Sequence, residues 1–196
     1  MSENFDENLD EYYVQALMLA EVVKRILERK GEITFSAPVN FKRKAVTQFM
    51  KRMRVVSVEK FDTATYISSV NFYRSYEDYD KKRPIGLIVL YLEGDYIGEL
   101  MGKLKYTIDD EESPSELEAA CGTFCNLIAG NFKSGLTQLG YQDLEMSHFS
   151  VYRNEVVDGV EYPGEQKEKY EMSFEIKGKI RIYADLVMGK LIKKDR

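Results

Sequence analysis

The chain has 196 residues, 44% of them hydrophobic and 31% charged, and a formal net charge of −5. Its length and apolar content suffice for one substantial core, so a single domain over 1–196 is expected, with halves at about 1–108 and 109–196. The acidic balance argues against nucleic acid, whose phosphates demand a basic footprint. No apolar run reaches the length of a membrane span, and the acidic start Met1-Ser2-Glu3-Asn4-Phe5-Asp6-Glu7 is unlike a signal peptide, so a cytoplasmic location away from the membrane is expected.

The first element is a helix. Asp6 or Asp10 suits its N-cap, Leu9, Tyr13, Leu17, Ala20, Val23 and Leu27 form an apolar side, and Arg25, Arg29 and Lys30 suit its C-terminus before Gly31 stops it. Stretches rich in Val, Ile, Tyr and Thr then predict strands at 33–38, 55–61, 65–73 and 85–92. Between them lie two basic runs, Phe41-Lys42-Arg43-Lys44 and Met50-Lys51-Arg52-Met53-Arg54, which read as the solvated surface of a helix or turn or as a recruiter of an acidic partner. The Tyr-rich charged run from Ser75 to Arg83 reads as an exposed hairpin loop. A short helix over 95–105 and an acidic loop, Asp109 to Pro114, join the halves; the loop lacks the spacing and Gly of a calcium loop and reads as a solvated linker.

The second long helix runs from Ser115 towards Gly140, opened by a Ser115–Glu118 capping box. At about 100° per residue, Leu117, Cys121, Phe124, Leu127, Ile128 and Phe132 gather on one side and Ala119, Thr123, Asn126 and Gly130 on the other. The first side is core. The second is flat and carries one amide, Asn126, able to orient a water or a phosphate oxygen. Such a stripe admits another macromolecule close to the helix backbone, or packs against a second helix; spacing leaves both open. Strands are predicted at 144–153, 170–177 and 179–187. Helix then strands, twice, predicts an α+β fold with long helices packed on a mostly antiparallel sheet.

Other chemistry is sparse. Cys121 and Cys125, one turn apart, read as buried thiols, since His148 is the sole histidine and there is no third cysteine. No phosphate-binding glycine loop, nucleophile elbow or zinc-binding helix motif occurs, so no cofactor of its own and no metal site are expected.

The run Asn126-Leu127-Ile128-Ala129-Gly130-Asn131, late in a long helix and followed by Leu136 and Gly140, resembles the E-x-x-N-x-x-x-G-N signature of the CheC/CheX/FliY chemotaxis phosphatases, with CheX the nearest type. The first helix, the Gly86–Leu90 strand and the short helix after it stand where a CheX-like chain has them. The resemblance implies a CheC-like fold of two helix-plus-strands halves and a partner, the phosphorylated receiver domain of a response regulator. In that family a Glu pairs with a receiver Lys and an Asn positions the water that hydrolyses the aspartyl phosphate, with Mg²⁺ supplied by the receiver. Carried over, Asn126 takes the Asn role, but Thr123 stands at the Glu position and cannot make that ion pair. Glu116 is a weak substitute, two turns from Thr123 and about 10 Å along the axis. Ala119, Thr123, Asn126 and Gly130 form the implied partner-binding face. A family Pro some two dozen residues after the Asn is replaced by the region of His148 and Phe149. Hydrolysis is accordingly expected to be weak or lost, with a receiver-binding or flagellar-switch-type assembly domain as the alternative. The resemblance also implies a homodimer joined by sheet edges, for which the strand-rich C-terminus is the expected element.

Overall fold

The computed structural model describes residues 10–56 and 60–194. The expected caps and contacts at Asp6 and Leu9 lie outside them. Helix α1 (Glu11–Gly31) begins at Asp10, whose carboxylate accepts the Tyr12 N–H at 3.1 Å. Gly31 is its last turn rather than its stop; Glu32 holds the left-handed cap, with φ 51°. Its buried stripe is Ala16, Leu19, Ala20, Val23, Ile26 and Leu27, so Leu17, expected inside, faces outward at 39% exposure.

The main sheet has seven strands. Its path is β1 (Asn40–Ala45), β9 (Glu168–Ile176), β10 (Lys179–Met188), β5 (Gly86–Glu93), β4 (Thr65–Tyr73) and β6 (Glu145–Met146), and β7 (Ser150–Arg153) also pairs with β4. Its pairings are antiparallel, as expected. A smaller sheet joins β2 (Gln48–Phe49), β3 (Arg52–Val56) and β8 (Val156–Val160). Three expectations change here. The predicted strand at 33–38 reduces to one bridge, Phe35 to Ile176, because the chain turns away before pairing resumes in β1. The first basic run is strand rather than helix or turn; the second opens on a turn at Met50 and Lys51 and continues as strand, alternating Met53 and Val55 inward with Arg52 and Arg54 outward. The loop at 75–83 contains a short helix, α2 (Tyr76–Asp80), capped by Ser75, whose hydroxyl accepts the Asp78 N–H at 3.2 Å.

Alternation splits each central strand between two cores. On one face lie α1, α3 (Gly94–Lys103) and α4 (Pro114–Gln138), with Val70, Phe72, Ile88, Leu90, Phe174 and Leu186 beneath them. Phe72 and Phe132 meet there at 5.8 Å between ring centres. On the other face Ile67, Leu87, Val89, Tyr91 and Val187 are covered by Met53, Val55, Val160 and Tyr162 of the small-sheet layer. Where that layer ends, carboxylates enter the sheet only with partners: Glu93 with Lys179 and Arg181, Glu171 with Lys44 and Lys60, and Asp185 with Lys169 and the Tyr91 hydroxyl.

The edges follow from this order. Strands β9 and β10 are interior to the main sheet, so the free edge among the C-terminal strands is β8 of the small sheet. The edges of the main sheet are β1, which displays Lys42, Arg43 and Lys44, and the interrupted β6–β7 side of β4; a charged edge resists further pairing.

Candidate functional site

Helix α4 starts one residue earlier than expected. Ser113 is its N-cap and Pro114 its first residue, and no capping-box hydrogen bond forms at Ser115 and Glu118. Proline suits that position because its missing N–H is one the helix could not bond anyway. Glu116 accepts the Asp110 N–H at 2.9 Å, which ties the acidic loop to the helix start. This weak candidate is therefore engaged at the far end of the helix from Asn126.

Of the expected inward side, Cys121, Phe124, Ile128 and Phe132 are at 0% exposure and Leu117 is buried, with Cys125 beside them, while Leu127 is only partly buried. Burial pushes both thiols up to about 12, so they remain protonated, and Cys121 lies 3.4 Å from the Ser68 hydroxyl. Outward, Ala119 and Asn126 are exposed and Thr123 and Gly130 partly so. The stripe does not pack on a second helix: α1 meets α4 instead at Gly135, where a methyl would approach the Met18 sulfur to 3.0 Å, and a methyl at Gly130 would meet nothing within 4 Å. Thr123 donates its hydroxyl to the Ala119 carbonyl at 2.9 Å, and Asn131 donates its amide to the Leu127 carbonyl at 2.8 Å. Asn126 differs from both. Its amide bonds no group among the described residues and projects from an open surface. Thr123 sits one turn before it, about 4.5 Å along the axis.

One neighbour of this face was not anticipated. The β6–β7 interruption is anchored where the Ser147 hydroxyl accepts the Asn71 N–H at 2.9 Å. From there the chain lays the Phe149 ring against Gly122, so closely that a methyl at 122 would collide with it. Phe149 remains 39% exposed and borders the stripe at Gly122, one turn from both Ala119 and Asn126. The available signal was Gly122 itself, a glycine inside a long helix, which costs stability unless something approaches the backbone.

No protein-family model matches the sequence, and neither does any curated protein. Solved structures do match in shape. A CheC-like superfamily protein from Shewanella sp. PV-4 superposes with a TM-score of 0.56 at 15% identity, covering 88% of this chain and 95% of that one. The chemotaxis protein CheX from Desulfovibrio desulfuricans gives 0.55 at 11% identity, over 89% and 99% of the two chains. CheX from Borrelia burgdorferi, crystallised with CheY, BeF3 and magnesium, gives 0.52 at 13% identity, over 90% and 98%. The fold is CheC-like. Its two long helices and antiparallel sheet are those the sequence resemblance implied.

Within this CheC-like frame the remaining polar groups are structural or dispersed. Among the described residues no three His, Cys, Asp or Glu side chains converge as metal ligands, and no helix is long and apolar enough to cross a membrane. His148 is not beside Asn126; it lines a cleft on the opposite face of the sheet from α4.

Proposed function

We propose that this chain docks on a phosphorylated receiver domain through the outward face of α4, with Ala119, Thr123 and Gly130 as the flat contact and Asn126 as the group that reaches the aspartyl phosphate. One observation carries this reading: in a CheC-like fold, Asn126, at the Asn position of the signature, is exposed, unbonded and set in a stripe that no described residue covers. The Borrelia CheX captured with CheY supports a receiver as the partner class. Magnesium would arrive with the receiver, and Asn126 would orient the attacking water.

Hydrolysis of an aspartyl phosphate rests on positioning and charge stabilisation rather than on covalent steps by the protein. One of the two positioned groups is absent here. Thr123 carries no charge, and its hydrogen is committed to the Ala119 carbonyl. Loss of one such group commonly costs on the order of 10²-fold in rate. The reading is thus a slow phosphatase of a receiver. The commitment of Thr123 favours, as a second reading, a module that binds the receiver without hydrolysing it.

The test is the decay of a phosphorylated receiver domain with and without the protein, beside Asn126→Ala and Thr123→Glu variants. Acceleration by the wild type that disappears in Asn126→Ala establishes the phosphatase. No acceleration by the wild type, with acceleration gained in Thr123→Glu, establishes the binder. Absence of phosphorylation-dependent binding to any receiver would overturn both.

A further inference from the structure

The face of the sheet opposite α4 holds a cleft of about 300 Å³ where the small sheet stops short of β7 and α2. Its floor is the outward row of β4, Ser69, Asn71 and Tyr73, polar where the neighbouring row of β5, Leu87, Val89 and Tyr91, is apolar and covered. Two of these side chains are engaged within the chain, the Asn71 amide donating to the Glu161 carbonyl at 2.7 Å and the Tyr73 hydroxyl to the Glu161 carboxylate, and Ser69 is the exception. Ser69 is 5% exposed, yet its hydroxyl bonds no described group. Three basic side chains line the walls, Arg52 from β3, Lys82 from the turn after α2, and His148. Arg52 is oriented by a 3.0 Å hydrogen bond from Nη1 to the Gly159 carbonyl, leaving most of its five N–H groups unspent. Lys82 makes no ion pair among the described residues. Among the described lining residues the one carboxylate is Glu161, which lies 3.6 Å from Arg52 and accepts the Tyr73 hydroxyl at 3.4 Å. The lining therefore carries a net positive charge in an acidic protein, a local reversal that attracts anions.

We propose that this cleft binds a small phosphate monoester borne on a single ring. Arg52 and Lys82 supply charge-assisted hydrogen bonds to the phosphate oxygens, and the Ser69 hydroxyl supplies a third donor from the floor. The ring follows from the walls: Tyr79, packed edge-on against Tyr73 at 5.0 Å, and the partly buried Tyr152 offer flat apolar surfaces. The volume lies at the small end of ligand pockets, which suits one ring and one phosphate and excludes a dinucleotide. This inference is independent of the α4 reading.

The experiment is calorimetric titration of the full chain with phenyl phosphate, inorganic phosphate and phenol, repeated on Arg52→Gln, Lys82→Gln and, as a basic site elsewhere on the sheet, Lys42→Gln. Saturable binding of phenyl phosphate, tighter than of inorganic phosphate or phenol, is expected. Removing one charged donor should weaken it about 10- to 100-fold, while Lys42→Gln leaves it unchanged. Unaltered far-ultraviolet circular dichroism certifies each variant, and Lys82→Gln, at an exposed turn, keeps the test decisive if Arg52→Gln fails to fold. The proposal is overturned by no saturable binding of phenyl phosphate, by binding indifferent to both cleft variants, or by equal weakening in Lys42→Gln. Inorganic phosphate binding as tightly as the ester would overturn the ring.

Discussion

The inward side of α4 carries Phe124, Ile128 and Phe132 at 0% exposure, whereas its outward side, a half-turn away, carries Ala119, Thr123, Asn126 and Gly130 against open space. Inward, each residue is set by volume, because the sheet below must be filled to near-crystalline density. Outward, nothing in the chain specifies small residues, since solvent accepts Lys or Glu more readily than it rewards Gly in a helix interior. Under the proposed docking, these small residues would leave room for a receiver to approach the helix backbone.

The strongest way to sharpen that contrast is Phe132→Ala. Removing a ring packed against Phe72 at the centre of the larger core should destabilise by about 3–5 kcal/mol, read as a lower denaturation midpoint in urea. A polar counterpart is Glu93, which the interior admits only with Lys179 and Arg181 on it. Burial pushes its carboxyl up, but the hydrogen bonds from those two cations outweigh burial and hold it below its ordinary 4.5. A lowered folded value means that the contribution is complete above about pH 4.5 and is lost as the pH falls through the folded value. Glu93→Gln should cost about 2–3 kcal/mol at neutral pH, less than a fully enclosed pair because both cations reach solvent, and should flatten the acid limb of a melting-temperature profile.

Smaller effects come from the outward side. Gly130→Ala should stabilise by about 0.5–1 kcal/mol, because a methyl there meets nothing and the helix gains intrinsic propensity. A loss of stability would mean that the stripe is packed after all. Gly122→Ala should change stability by less than about 1 kcal/mol, since the helical gain opposes the loss of Phe149 burial. It should nevertheless alter receiver affinity by driving the Phe149 ring off the border of the face, and a surface-plasmon titration separates the two readouts. Asn126→Ala should leave the thermal midpoint within the range of ordinary surface substitutions, about 0.5 kcal/mol, while abolishing any receiver dephosphorylation.

Much of this was legible in the sequence because it is local. Richness in β-branched and aromatic residues placed β4 at the expected residues 65–73, and helical periodicity separated the two sides of α4 except for Leu127, which is only partly buried. The basic run at 41–44 was misread because long charged side chains are compatible with strand, helix or turn, and the partner that makes it a strand, β9, lies more than a hundred residues on. The capping box was misplaced for a different reason. Two serines flank Pro114, and the choice of Ser113 rests on proline's preference for the first helical turn.

By itself the sequence determined the three longer helices, most strands and the small-residue stripe around Asn126, since these follow from periodicity, propensity and residue size along one segment. Only the tertiary structure decided which strands form the sheet edges, that Phe149 borders the stripe, and that Arg52, Lys82 and His148 line one cleft. Those facts depend on contacts between segments far apart in the chain, and the local signal of a residue does not encode which distant backbone it will meet.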